Sequence, residues 1–169
     1  QGGNNNTWCQ DSPLGWMVWN EDHCDLELKL FLTRLLKLRQ ALPQLFNPLI
    51  PARETTKKHP QDQTDLWRQW HGVELSKPDW AAWSRSIATS LHMGSHGALI
   101  WMGFNAHKEA LNFELPVPAS PWTRVIDTSL PSPKDLPEQP VPFRGVTIPM
   151  QSRSFVLLVA QDEVSNLRL

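Results

Sequence analysis

The chain has 169 residues and a formal net charge of −1, a length suited to one ordinary domain with an appendage. The near-neutral charge argues against nucleic acid or an anionic membrane surface as partner; no apolar run approaches the roughly 18–20 residues of a membrane span, and residues 1–6 have neither the basic start nor the apolar run of a signal peptide. Cys9 and Cys24 are too few for a disulfide framework, which points to a reducing compartment, cytoplasmic or plastid-like.

Residues 1–24 carry turn formers, three tryptophans and no clear period. The stretch GGNNNTWCQD, residues 2–11, reads as the inside of a loop, because asparagine tolerates left-handed backbone and bonds its own chain. Asp25 then opens a helix, DLELKLFLTRLLKLRQAL, residues 25–42. Asp25 caps it, and Pro43 ends it by disfavouring helical geometry in the residue before it. Leu28, Phe31, Leu35, Leu38 and Leu42 make one apolar stripe, which Leu32 and Leu36 widen. Leu26, Leu30 and Ala41 fall outside the stripe, so the helix has apolar residues on a second side and calls for two neighbours.

Residues 43–65, which include ETTKKHPQDQT, read as a mobile linker. The character then changes to short apolar runs separated by Gly and Pro signals. The predicted strands are LWRQW (66–70), SIATSLHM (86–93), ALIWMGFNA (98–106), ALNFEL (110–115), WTRVID (122–127), VTIPM (146–150) and SFVLLVA (154–160). In LNFEL the apolar Leu111, Phe113 and Leu115 alternate with Asn112 and Glu114, the pattern of a strand with one dry face. ALIWMGF and FVLLVA are apolar on both faces, as in central strands. The Pro-rich residues 130–143 read as one long loop. Fifteen prolines and nine tryptophans, with no tyrosine, favour loops and strands over helices. For the tryptophans a core role is preferred to sugar stacking. The pattern as a whole predicts a mainly β chain, an antiparallel β-sandwich preceded by one long α-helix and a loop.

A complete active site does not emerge from the residues. Asp79, Glu114, Asp127, Asp162 and Glu163 are scattered and read as caps, turns or surface charges. His71, His92, His96 and His107 lack metal-ligand spacing, and Cys9, His23 and Cys24 lack a fourth ligand, so no metal and no cofactor are expected. The sequence has neither a nucleophile elbow nor a phosphate-binding glycine loop. Asn4, Asn5 and Asn6, with Trp8 and Trp16 nearby, admit two readings: a self-bonded loop, or amides and indoles that contact a glucan.

Several stretches together resemble one family. GGNNNTWCQDSPLGWMVW (2–19) is similar to the loop after the eighth barrel strand of isoamylase-type glycogen and starch debranching enzymes, members of the α-amylase superfamily. DLELKLFLTRLLKLRQALPQL resembles their last barrel helix. WHGVELSKPDW (70–80), followed by SRSIATSL, resembles the start of their C-terminal β-domain, and FNAHKEALNFELP (104–116), RVIDTSLPSPKDL (124–136) and QSRSFVLLV (151–159) follow in the family's order. WHG, PDW and DTSLPSP are closest to the plant and cyanobacterial type.

The resemblance implies a C-terminal fragment. Residues 1–48 would be the end of a (β/α)8 catalytic barrel, 49–64 a linker, 65–161 the β-sandwich domain and 162–169 a tail. The parent activity would be retaining hydrolysis of α-1,6 branch points in glycogen- or amylopectin-like glucans, by acids on the missing barrel. No acid here matches those motifs, so no catalytic residue is assigned and this chain alone is expected to be inactive. Asn4, Asn5, Asn6, Trp8, Gln10 and Asp11 are the candidate substrate-binding residues. Residues 1–44, parted from the barrel, are expected to be poorly ordered or to pack on the sandwich or on another copy. The implied partners are an α-glucan and the barrel, and the implied location is the cytoplasm, or the plastid stroma in a plant. The rival reading is a non-catalytic carbohydrate-binding module that displays Trp67, Trp70, Trp80, Trp83 and Trp122, with Trp101 buried. A general dimerisation domain is a third.

Overall fold

The computed structural model describes residues 11–13, 15–16, 25–42, 66–93, 97–160 and 162. The predicted linker, Asn4–Asn6, Trp8 and Gln10 lie outside them. In chain order the elements are α1 (Leu26–Ala41), β1 (Leu66–His71), β2 (Ser86–Met93), β3 (Ala98–Asn105), β4 (Leu111–Glu114), β5 (Trp122–Asp127), β6 (Val141–Pro142), β7 (Thr147–Met150) and β8 (Ser154–Ala160). Six strands form one sheet in the order β1-β2-β3-β8-β5-β6, and β4 and β7 form a second. All the strand pairs within these sheets are antiparallel, and the architecture is the expected β-sandwich with one helix.

The strand order explains the sequence pattern. β3 and β8 are central, so both of their faces must be covered, and ALIWMGF and FVLLVA are apolar on both sides for that reason. One face packs on the small sheet: Ala88, Trp101, Trp122, Val156 and Leu158 meet Phe113, Leu115, Ile148 and Met150. β4 alternates as predicted, with Phe113 buried and Asn112 and Glu114 exposed. The Trp101 ring meets Phe113 edge to face, with centroids 6.0 Å apart. The Trp101 and Trp122 indole N–H groups are buried and without an acceptor among the described residues. Packing of their rings outweighs that loss, which is about 1–3 kcal/mol for a buried donor.

The other face is covered by α1. Asp25 caps the helix as expected, its Oδ1 accepting from the Leu28 amide at 2.9 Å. Leu38 and Leu42 are buried against Leu91, Ile100, Val125, Leu157 and Val159, and Phe31 and Leu35 pack at the margin. Arg34 fastens the helix to the loop after β5, donating to the Leu136 carbonyl at 2.8 Å. The helix thus packs on the sandwich, one of the expected outcomes. The apolar stripe is narrower than the spacing suggested: Leu28, Leu32 and Leu36 are exposed, as are Leu26 and Leu30, because the sheet reaches only the side carrying Phe31, Leu35, Leu38 and Leu42.

Two further expectations are corrected. Residues 130–143 are not wholly loop, since Val141 and Pro142 pair with Arg124 and Thr123 as β6. Proline is tolerated there because β6 is an edge strand. Trp122 cannot belong to an exposed platform: it is buried in the sandwich interior, where β5 pairs with the central β8. Trp101 is buried as expected.

Asn105, buried at the end of β3, holds two turns together. Its Nδ2 donates to the carbonyls of Gln151 at 2.8 Å and Glu109 at 3.0 Å, and its Oδ1 accepts from the His107 amide at 3.0 Å.

A side chain at position 103 would overlap the Trp101 ring, since an added Cβ would fall 2.4 Å from Cη2 of Trp101 and 2.6 Å from Sδ of Met150. Gly103→Ala should therefore lower stability by about 1–3 kcal/mol, the usual cost of overpacking, read as a fall in the urea midpoint. In the same assay Leu38→Ala should cost about 2–5 kcal/mol, while Leu36→Lys, on the bare side of α1, should stay within about 0.5 kcal/mol of the parent.

Candidate functional site

The β1–β2 loop, residues 72–85, is tied to the β-sandwich by a set of specific hydrogen bonds. Gly72 opens it where only glycine fits, because an added Cβ would lie 2.3 Å from the Lys77 carbonyl oxygen. Ser76 adopts a left-handed φ of 59°. Its amide donates to His71 Nδ1 at 3.0 Å and its hydroxyl accepts from Gln69 Nε2 at 2.9 Å. The Leu75 amide donates to a Glu114 carboxylate oxygen at 2.9 Å, which ties the loop to β4. Lys77 pairs with Glu74, and that hydrogen bond raises its pKa.

Farther along the loop, Asp79 Oδ1 accepts from the Ala81 amide at 3.0 Å, and the Ser84 amide donates to the Ala81 carbonyl at 2.9 Å. These turns present Trp80 and Trp83 at 65% and 79% exposure. Trp80 meets Trp70 of β1 edge to face, with centroids 5.6 Å apart. Beside Trp80 lies a groove of about 350 Å³, lined by Asp79, Ser84, Arg85, Ile87, Phe104 and others. Ile87 and Phe104 are register partners, and Phe104 is the partner of Phe155 on β8. The groove is therefore the continuation, past the end of α1, of the sheet face that the helix covers.

Behind the loop is a buried polar relay that the sequence did not reveal. His71 Nε2 and Ser90 Oγ are 2.7 Å apart, and Ser90 Oγ and His92 Nε2 are also 2.7 Å apart. Because the Ser76 amide donates to His71 Nδ1, His71 must carry its proton on Nε2 and donate to Ser90, which then donates to His92 Nε2. Trp67 stacks on the His92 ring at a centroid distance of 4.2 Å. His71 and Ser90 are nineteen residues apart and meet only through the β1–β2 register. The relay braces the loop from inside the protein, and both imidazoles are buried.

Of the sequence-predicted site residues, Asp11 is the one described. Its Oδ1 accepts from the Trp16 indole N–H at 2.7 Å, a contact within the local chain. The acids singled out in the sequence serve local structure: Asp79 closes a turn, Glu114 holds Leu75, and Asp127 accepts from Arg124 at 3.3 Å and from the Ser129 hydroxyl at 2.6 Å. Among the described residues no group of three or more His, Cys, Asp or Glu is placed to hold a metal ion. No described helix is long and apolar enough to cross a membrane.

Residues 69–152, most of the sandwich, match the family model described as "Isoamylase 1-3, C-terminal". The chain belongs to the isoamylase family through this β-sandwich. It is 27% identical over 176 residues to chloroplastic isoamylase 1 of Oryza sativa subsp. japonica, covering 96% of this chain and 20% of the relative. Identity to chloroplastic isoamylase 1 of Arabidopsis thaliana is 32%, over 92% of this chain and 18% of the relative. A glycogen debranching enzyme of Pectobacterium atrosepticum is 31% identical over 56% of this chain and 15% of its own length. The chain thus spans about a fifth of the length of these two isoamylases.

Burial lowers the His71 pKa from 6.5 to about 4, so folding favours the neutral ring. The associated stability is fully present above pH 6.5 and drains away as pH falls toward 4. By pH 4 that amounts to a loss on the order of 3 kcal/mol. Urea midpoints measured from pH 7 to pH 4 should fall steeply in the parent and more shallowly in His71→Gln. Parallel profiles would place the responsible proton elsewhere.

Proposed function

We propose that this chain is the C-terminal part of an isoamylase-type debranching enzyme, in which a catalytic barrel hydrolyses α-1,6 branch points of glycogen- or amylopectin-like glucans. The observation that carries the reading is the family match over the sandwich, on a chain a fifth as long as its relatives. The role of the part in hand is structural and accessory, and the chain alone does not cleave glucan. Asp25, Asp79, Glu114 and Asp127 are engaged in cap, turn and loop contacts, which supports that view. Residues 1–48 are read as the end of the barrel, 49–64 as a linker, 65–161 as the β-sandwich domain and 162–169 as a tail. The enzyme would work in the cytoplasm, or in the plastid stroma if the source is a plant.

In this reading α1 has a job on each side. Leu38 and Leu42 hold it to the sandwich, and the exposed Leu26, Leu28, Leu32 and Leu36 face the barrel. Uncovered apolar area of that kind is worth about 25 cal/mol per Å² when removed from water, enough to hold two bodies in fixed relation. Asn4, Asn5, Asn6, Trp8, Gln10 and Asp11 line the glucan cleft from the barrel side, with amides for sugar hydroxyls and an indole for a ring face.

The test uses two forms of the protein. The complete polypeptide should release linear chains from amylopectin, and the 169-residue chain should release none. Asn5→Ala with Trp8→Ala should weaken turnover of branched glucan in the complete form. Leu32→Lys with Leu36→Lys should lower its thermal midpoint while leaving the short chain unchanged. Linear chains released by the short chain alone would overturn the proposal.

A further inference from the structure

The groove beside Trp80 combines features suited to a small polar ring compound. It is concave, of about 350 Å³, and its lining joins apolar and charged groups. That volume is at the lower end of the range typical of small-ligand pockets, roughly 300–1,000 Å³. Ile87 and Phe104 give it an apolar floor, the Trp80 indole stands at one side, and Asp79 and Arg85 flank it. Phe104 is 43% exposed, although it sits on a sheet strand between two partners. The chain therefore leaves an aromatic ring uncovered at the groove rather than at a random surface position.

The same walls are held in place before any ligand arrives. Trp80 is braced by Trp70. Asp79 and Ser84 fix the turn around Ala81, and the Ala106 amide donates to the Arg85 carbonyl at 2.8 Å. Groups already ordered lose little entropy on binding. The Asp79 carboxylate spends one oxygen on the Ala81 amide and keeps further acceptor capacity, while the Arg85 guanidinium offers only donors. A pyranose ring has the complementary shape: an apolar face of C–H groups for an indole or phenyl ring, and an equatorial rim of hydroxyls that both donate and accept.

We propose that the Trp80 groove binds a short α-glucan segment, one or two glucose units deep, with Trp80 and Phe104 against ring faces and Asp79 and Arg85 on hydroxyls. The choice of an α-linked glucose chain rests on the debranching reading. The existence of a sugar-binding groove rests on the geometry alone. Trp83, three residues on, is 79% exposed and does not line the groove. The site narrows the carbohydrate-module alternative to this loop, since Trp122 is buried and Trp67 is stacked on His92.

The 169-residue chain, labelled with ¹⁵N, is titrated with maltoheptaose while the indole N–H resonances are followed. The Trp80 and Trp70 signals should move saturably in the millimolar range while the buried Trp101 signal stays fixed, which also reports that the fold is intact. Trp80→Ala should weaken binding roughly tenfold, the scale of one aromatic stacking contact, and Trp80→Phe should retain part of it. Arg85→Ala should weaken binding several-fold. Unmoved indole signals, or undiminished binding by Trp80→Ala, would overturn the proposal. So would the same shifts on raising protein concentration without sugar, which would mark the groove as a contact between copies. Equal shifts with cellohexaose would overturn the α-glucan assignment. Release of linear chains by the complete polypeptide is a separate measurement, so the debranching reading can stand or fall independently of this site.

Discussion

Trp101 lies at the centre of the six-stranded sheet with no exposed surface, and its ring occupies the space that a side chain at position 103 would need. That overlap ties the two faces of the protein together. β3 can carry a tryptophan toward the small sheet only because Gly103 yields room, and its other face must then be closed by something else. α1 supplies the closure with Leu38 and Leu42. A sheet dry on both sides leaves its central strands little freedom of register, since a slip by one residue would turn Trp101 toward the helix. The β1–β2 loop, the histidine relay behind it and the groove in front of it all inherit their positions from that fixed register.

Much of this was legible in the residues, for reasons that can be named. α1 announced itself by an acidic cap and apolar residues at helical spacing, and β4 by strict alternation, because both patterns are local. What the sequence hid is what depends on distant partners. The spacing of leucines along α1 could not say which side the sheet would reach, so Leu28, Leu32 and Leu36 belong to the stripe by pattern and to the surface in fact. WTRVID gave no sign that Trp122 faces inward, since that follows from β5 pairing with β8. β6 is two residues long and contains a proline, below what any periodic signal resolves. His71, Ser90 and His92 look unrelated in the chain and meet only when β1 and β2 pair. Of the loop residues singled out for glucan contact, Asp11 alone is described, and its carboxylate is turned to Trp16.

Two apolar surfaces among the described residues, the bare side of α1 and the Trp80 groove, differ in a way that fits two kinds of partner. The bare side of α1 is a row of leucines on a convex rod, suited to burial under another folded body. The Trp80 groove is concave, aromatic and flanked by opposite charges, suited to a polar ring compound. In the proposed debranching enzyme one surface would join the sandwich to the barrel, and the other would hold a length of glucan. The relay of His71, Ser90 and His92 then bears on function indirectly, through Ser76 and the loop that carries Trp80.

The strand order has a kinetic side as well. β8 is inserted between β3 and β5, so the first three strands and the fifth have no common neighbour until residues 154–160 arrive. On a translating ribosome the nascent sandwich would wait as two unjoined pieces with greasy flanks, and closure would come as a single late event after β8 clears the exit tunnel. Pairings this far apart in sequence close slowly, and half-made sheets with unpaired edges are where aggregation begins. Shortening the chain within β8 would therefore split the sheet through its middle rather than trim its rim.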